Sequence, residues 1–486
     1  MNIFKSILAA VFMQLTIFSH AQQATWEFLM STPQEDDYAR DLIEEKDGSI
    51  FIAGRSRKLD QPYKSKALLI KLNHLGDFLD SIQFDFEGHN TLISQLLKSI
   101  DDQVILLSFF HEASAQGNNG GILLNYVDNE LNISQSTSFF ADSNYRILSA
   151  NGNISDDGNL FLSITGHLSG ALFHSYLIET NNSFELLKSR FLNTSPSTYF
   201  QLRKLDNYTY WAINELTNKY ELFDFQFNRV QEQIIPEYLT SSFGVKWDSD
   251  SSFFLLGDKT NDYHSLGFIK QHNPIDTTGY TYNQWQTNDT LNAPAILNGI
   301  DYKNKDTLFI GGTHNMPYVL DPYHYPSPSW FVILQTDSLL NIRWERFYGG
   351  NANHLMTNLI ATRDGGCLIT GTRYDYLNDP LPQTDIIVLK LNSEGLLTGQ
   401  NKLQESLLRE AIVYPNPGSA IMQVRLAAQH PNALLELFDS QGKLMLSKQV
   451  HEKESHINTA QLPSGTYIYR LSAATGLNES GKWVKQ

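Results

Sequence analysis

The chain has 486 residues, 41% hydrophobic, 12% aromatic and 18% charged, with 36 Lys+Arg against 52 Asp+Glu for a net charge of −16. That length exceeds what one hydrophobic core usually supports, so two or more domains are expected. The acidic balance leaves no electrostatic footprint for nucleic acid and excludes that partner, while the ring-rich, charge-poor composition favours β-structure.

Residues 1–21 read as a signal peptide. Lys5 supplies a positive n-region, Ile7 to Phe18 an apolar stretch, and Ser19-His20-Ala21 an A-x-A-like end. The apolar run is too short for a membrane anchor, and no later segment approaches about 18 uninterrupted apolar residues, so no transmembrane anchor is expected.

Residues 22–399 carry an internal repeat. Each copy has an apolar strand, a turn of Asp or Asn-Gly character, a second apolar strand often ending in Gly, a variable loop and a third strand. The first copy places these strands at 39–45, 49–54 and 67–73, around Lys46-Asp47-Gly48. The last repeats the pattern with Arg363-Asp364-Gly365, a strand over 367–371 and another over 385–392. Seven copies are counted; copies 4 and 5 are degenerate, so six and eight stay open. A twisted four-stranded sheet has two faces to bury, and radial stacking into a closed ring buries both while leaving short edges. A fourth strand containing Trp344 follows copy 6 and is missing after copy 7, yet Thr25-Trp26-Glu27-Phe28 stands alone before copy 1. The N-terminal strand is therefore expected to complete the last blade beside residues 386–391. The phrases DGSIFIAG, ALLIKLNHLGD and DGGCLITGT resemble the repeats of secreted β-propellers that precede type IX sorting domains.

Residues 400–410 read as a linker. From 411 to 486, Ile412-Val413-Tyr414-Pro415-Asn416-Pro417 precedes short strands at 422–426, 434–439, 443–450, 456–458, 467–471 and 482–485. Asp439-Ser440-Gln441-Gly442 and Leu462-Pro463-Ser464-Gly465 mark turns between them, a spacing that suits a small β-sandwich. The ordered segments VYPNP, LFDSQGKLMLSKQV, LPSGTYIYRL and GKWVKQ resemble the type A C-terminal sorting domain of the type IX secretion system of Bacteroidota. The motif falls on Pro415, Asn416, Pro417, Gly442, Leu462, Pro463, Gly465, Tyr467 and Lys482. The resemblance implies recognition by type IX machinery at the outer membrane, export, removal of the domain, and then surface anchoring or release. Separately, Asp80-Ser81-Ile82 and Asp337-Ser338-Leu339 resemble the O-glycosylation sites used by these bacteria. The fold expected is all-β: a seven-bladed β-propeller followed by a small immunoglobulin-like β-sandwich.

Signatures of zinc hydrolases, α/β-hydrolases and nucleotide-binding loops are missing, and no cofactor or metal is expected. Asp248-Ser249-Asp250-Ser251 lacks the Gly and Glu of a calcium loop and reads as a turn. The single Cys367 sits in an apolar strand pattern and reads as a buried structural thiol. The leading function is non-catalytic binding of a polymer or protein. The alternative is a carbohydrate-active hydrolase or lyase with carboxylates at the channel mouth; a third reading is a structural surface-layer component. Loops between second and third strands share one face of a propeller. They run to about 17 residues in copy 6, about 13 in copy 7 and about 12 in copy 1, against about 5–7 in copies 3–5, where most hairpin loops need only about 2–5. The long loops gather His314, Tyr318, Tyr323, His324, Tyr325, Trp330, Tyr374, Tyr376 and Arg55, with Arg57 and Tyr63 beside them. Aromatic and Arg side chains are the types enriched at binding hot spots, so these are the candidate ligand-binding residues.

Overall fold

The computed structural model describes residues 24–485 except 115–118, 141–144, 169–172, 193–198, 216, 261–263, 277, 288–289, 317–318, 320, 379–382, 398–410, 415–417, 427–431, 440, 451–453 and 474–477. The signal peptide read over 1–21, the linker 400–410, Tyr318, and Pro415, Asn416 and Pro417 lie outside the described residues. The chain divides into two compact units, 1–29 with 33–403 and 30–32 with 404–486.

Among the described residues, the first unit holds seven antiparallel sheets. The first strand, β1 (Trp26–Met30), belongs to the last of them. Blade 1 is β2 (Glu35–Glu44), β3 (Ile50–Lys58), β4 (Ser65–Leu72) and β5 (Phe78–Phe84). Blade 2 is β6 (Asn90–Lys98), β7 (Val104–His111), β8 (Gly121–Val127) and β9 (Ile133–Phe140). Blade 3 is β10 (Tyr145–Ile154), β11 (Leu160–Leu168), β12 (Phe173–Thr180) and β13 (Leu186–Leu192). Blade 4 is β14 (Tyr199–Lys204), β15 (Thr209–Asn214), β16 (Lys219–Asp224) and β17 (Arg229–Ile234). Blade 5 is β18 (Leu239–Trp247), β19 (Phe253–Thr260), β20 (His264–Gln271) and β21 (Tyr280–Trp285). In blade 6 the inner strand is split: β22 (Asn292–Pro294) and β23 (Ile300–Asn304) both pair with β24 (Thr307–His314), followed by β25 (Trp330–Thr336) and β26 (Ile342–Gly349). Blade 7 is β27 (Asn353–Ala361), β28 (Cys367–Tyr374) and β29 (Asp385–Leu391), and β1 pairs with β29 as its fourth strand. The inner strand β2 lies against β6 on one side and β27 on the other, which closes the ring.

Burial follows position in the blade. The middle strands are covered on both faces and read as continuous apolar runs, as in VILLSFFH of β7, buried throughout. The outermost strands are half-wet or wholly exposed, as in β17. That is why the sequence showed a fourth strand only where Trp344 marked it, although the described residues give one to every blade.

A five-residue turn follows the third strand of most blades. The side chain opening it, Asn73, Asp128, Asn181, Asp224, Asp337 or Asn392, accepts from two backbone amides of its own turn. The fourth turn residue has positive φ: Gly76 and Gly395 in blades 1 and 7, but Leu131, Phe184, Phe227 and Leu340 in blades 2, 3, 4 and 6. A side chain there costs about 1–2 kcal/mol. Burying a Leu or Phe returns about 1.5–3 kcal/mol, and all four are buried. Phe184 stacks on Tyr126 of the preceding blade at 4.6 Å. In blades 1 and 7 a Trp ring of the preceding blade lies directly on the turn, and the residue there is Gly. A Cβ on Gly76 would fall 2.4 Å from the Trp26 ring, and one on Gly395 the same distance from the Trp344 ring. Trp26 Nε1 also donates to the His74 carbonyl at 3.2 Å, tying the closing strand to blade 1.

The second unit is a small sandwich. β30 (Ala411–Tyr414), β31 (Ile421–Leu426) and β34 (Glu454–Asn458) form one sheet. β33 (Leu444–Val450), β32 (Ala433–Phe438), β35 (Gly465–Ser472) and β36 (Asn478–Lys485) form the other, in that order. Alternate residues of both sheets meet in a core that includes Val424, Leu435, Leu437, Leu471 and Trp483.

One expectation is corrected. The connection in blade 1 spans only 59–64, because β3 runs on to Lys58 and β4 starts at Ser65. Arg55 and Arg57 therefore stand on a strand, not in a long loop. Blades 6 and 7 do carry long connections, 315–329 and 375–384, and blade 2 has the next, 112–120.

Candidate ligand-binding site

Nearly every inner strand departs from regular pairing. Register shifts fall between Ala39 and Asp41, Ile93 and Gln95, Ile147 and Ser149, Phe200 and Arg203, and Met356 and Asn358. Such bulges re-aim side chains, here into the channel. A cavity of about 240 Å³ there is lined by Asp41, Gln95, Asn151, Gln201, Lys246, Asp301 and Asn358, among others. Asp41, Gln95, Lys246, Asp301 and Asn358 bond across to neighbouring blades. Asp41 accepts from Leu96 N at 2.7 Å, from Leu42 N at 2.8 Å, and from the Asn358 amide. Asp301 accepts from Ala361 N at 2.9 Å and pairs with Lys246 at 2.7 Å. Gln95 accepts from Gly152 N at 2.7 Å. Burial outweighs the hydrogen bonds at Asp41 and pushes its carboxyl up to about 6.

The face carrying the long connections holds a different cavity, of about 250 Å³. Arg40 (β2), Arg55 and Arg57 (β3), His111 (β7) and Arg146 (β10) surround it with Tyr38, Tyr63 and Tyr323. Arg55 lies over the Tyr38 ring, 4.4 Å from its centre. Tyr323 comes from the blade 6 connection, which crosses to blade 1: its ring meets Tyr38 edge-on at 5.1 Å. The next residue secures the crossing. His324 presents Nε2 to Asp36 at 3.1 Å and Nδ1 to Asp321 at 2.9 Å. The hydrogen bond to Asp36 leads in raising the His324 pKa, overcoming burial. Asp36 also takes Arg57 at 2.5 Å and the Thr384 amide of blade 7 at 3.1 Å. Burial would raise its pKa, but His324 and Arg57 together hold it at about 2.

The residues singled out in the sequence divide. Arg55 and Tyr323 line the arginine cavity. His324 does not line it; it pairs with Asp36 and begins a row of rings, 5.6 Å to Tyr374 and 6.2 Å from Tyr374 to Tyr376. Tyr325 is exposed, with its carbonyl taken by Asn353. His314 and Trp330 are elsewhere: His314 is hydrogen-bonded to Asn292 and ringed by Trp285, Trp330 and Phe347, a packing cluster between blades 5 and 6. Arg40, His111 and Arg146 were missed, since each is a lone basic residue in its strand and only the packing of blades 1, 2 and 3 brings them together. Asp248 is a turn residue held by Lys305 at 2.5 Å and Lys270 at 3.9 Å.

In the second unit, Gly442 occupies the positive-φ position (φ 80°) of a turn opened by Asp439, the same turn the blades use. The Tyr467 hydroxyl donates to the Pro463 carbonyl at 2.7 Å, and its ring faces Trp483 at 6.0 Å. Leu462 packs on the core, Gly465 begins β35, and Lys482 pairs with Ile468 in the terminal hairpin.

Several solved structures resemble parts of the chain at low identity. A fungal alcohol oxidase gives 10% identity and a TM-score of 0.46 over 95% of this chain and 98% of that one. A virginiamycin B lyase from Staphylococcus aureus gives 10% and 0.44 over 75% and 99%. PorZ, a surface component of the type IX secretion system of Porphyromonas gingivalis, gives 10% and 0.28 over 92% and 81%. A comparison with curated proteins finds no match. Among protein families, residues 412–486 match the secretion system C-terminal sorting domain. That stretch coincides with the small sandwich, so the chain carries a type IX sorting domain at its C-terminal end and is exported to the cell surface or secreted.

Proposed function

We propose that the propeller is a non-catalytic binding module carried outside the cell by the sorting domain, and that its ligand docks in the arginine cavity on the long-connection face. The observation that carries this is the crossing of the blade 6 connection to blade 1, which completes with Tyr323 a cavity already lined by blades 1, 2 and 3. Long connections with defined contacts are where binding residues concentrate. The channel argues against catalysis, because Asp41 and Asp301 serve neighbouring blades rather than an open acid–base pair.

The test is an array of polysaccharides and surface proteins probed with the full chain, in parallel with a screen for depolymerising and eliminative activity. Binding lost in Tyr323→Ala, with unchanged melting, supports the reading. Turnover of any substrate overturns it. For the sorting domain, with Gly442, Leu462, Pro463, Gly465, Tyr467 and Lys482 as the residues read by the machinery, deletion of 409–486 is expected to strand the protein in the periplasm. Its appearance outside would refute that role.

A further inference from the structure

The cavity on the long-connection face gathers positive charge in a chain whose acids outnumber its bases 52 to 36. Four guanidiniums and an imidazole surround about 250 Å³, room for roughly eight waters at ~30 Å³ each. Like charges around one cavity repel, and the repulsion is strongest where water is scarce. Among the described residues, Arg57 has a carboxylate at 2.5 Å, Asp36. Among the described residues, neither Arg40 nor Arg55 forms an ion pair there. Arg55 rests on the Tyr38 ring; the Arg40 guanidinium bonds the Tyr323 side chain, while its Nε is buried with no hydrogen-bond partner. Burial draws the Arg40 pKa below the usual arginine value. A desolvated guanidinium that faces a cavity without a carboxylate in contact can take an anion there, and its planar fork fits a carboxylate in two-point contact.

The rim narrows the ligand class. Tyr63, 54% exposed, and Leu148, 36% exposed, stand beside the arginines. An aromatic face at the edge of a polar cavity suits a sugar ring. A nucleic acid carries a charge every ~1.7 Å of duplex and would meet the acidic remainder of the surface; a glycan with one carboxylate per ring delivers its charge to the cavity alone. Building on the binding-module reading, we propose that the cavity binds a uronate residue of an acidic polysaccharide, with Arg40 and Arg55 gripping the carboxylate and Tyr63 lying against the ring.

The test titrates the full chain by calorimetry with oligomers of galacturonate, glucuronate and mannuronate. Their neutral counterparts, polyglutamate and inorganic sulfate serve as comparisons. At least one uronate oligomer is expected to bind while its neutral counterpart does not. Arg55→Gln is expected to weaken binding about ten- to a hundred-fold, the weight of a charge-assisted hydrogen bond. Tyr63→Ala, at an exposed position that folding does not need, gives a second reading should Arg55→Gln unfold, and it too must weaken binding. Equal binding of neutral oligomers, binding of polyglutamate or sulfate alone, or uronate binding untouched by both variants overturns the assignment. If the array instead finds a neutral or protein ligand lost in Tyr323→Ala, the uronate assignment fails and the binding module stands. If no ligand depends on Tyr323, both fall.

Discussion

Ring closure rests on a contact small enough to work through. Trp26 is 3% exposed and sits on Gly76 of blade 1, to which its indole is also tied through the His74 carbonyl. Replacing it with Ala removes a buried ring, which costs about 3–5 kcal/mol where the site does not collapse. Gly76→Ala attacks the same contact from the other side. A residue at φ +80° costs about 1–2 kcal/mol by itself, and a Cβ 2.4 Å from the ring forces the ring to move as well. In the double variant only the backbone cost remains from Gly76, so the two changes are expected to couple by about 1–2 kcal/mol. Global unfolding of a many-bladed chain is a poor gauge, because it need not be two-state. Native-state hydrogen exchange of the β29 amides, Asp385–Leu391, reads blade 7 directly, since β29 lies between β1 and β28. Protection there is expected to fall in both single variants, and by less than the sum in the double. Additive losses, or unchanged β29 protection in Trp26→Ala, would refute the reasoning.

Three further outcomes are expected. Asp41 has its carboxyl raised from 3.8 to about 6, so it favours the folded state most below pH 4 and loses that contribution as pH climbs to 6, a change of roughly 3 kcal/mol. Asp41→Asn should flatten that fall in urea midpoints between pH 4.5 and 6.5, and an unaltered slope would show the raised value wrong. His324 is raised above its ordinary 6.5 with Asp36 as the leading cause, so its tie to blade 1 is complete below 6.5 and fades as pH passes the raised value. NMR titration of the imidazole should give a value above 6.5 that drops in Asp36→Asn; no drop would detach the crossing from that pair. Finally, burial pushes the Cys367 thiol up to about 12, so a thiol reagent should modify it only on unfolding, and prompt reaction of the native protein would contradict the packing.

The repeat was legible because its middle strands are buried on both faces and its turns need Asp and Gly. Closure was legible from an orphan strand holding Trp26 and a last repeat lacking its fourth. Strand ends were not, where a strand turns polar without leaving the sheet: Arg55 and Arg57 alternate with Gly54 and Ser56 along β3 and resemble a loop. The candidate site was half visible for the same reason. Tyr323 stood out in a long aromatic connection, whereas Arg40, His111 and Arg146 lie far apart in sequence on strands that meet only when blades 1, 2 and 3 pack together. His314 and Trp330 misled because a packing cluster uses the same side chains as a binding surface.

The pairing of β1 with β29 also sets an order in time. The first strand among the described residues is partner to the last one of the ring, so blade 7 stays short until both are made. At ~5–20 residues per second, roughly 20–70 s separate the two. During that interval β1 and each newly made blade edge stand unpaired, open to joining another chain. A chain built this way gains from being kept unfolded until its final blade is made, so its completion and its folding become one event.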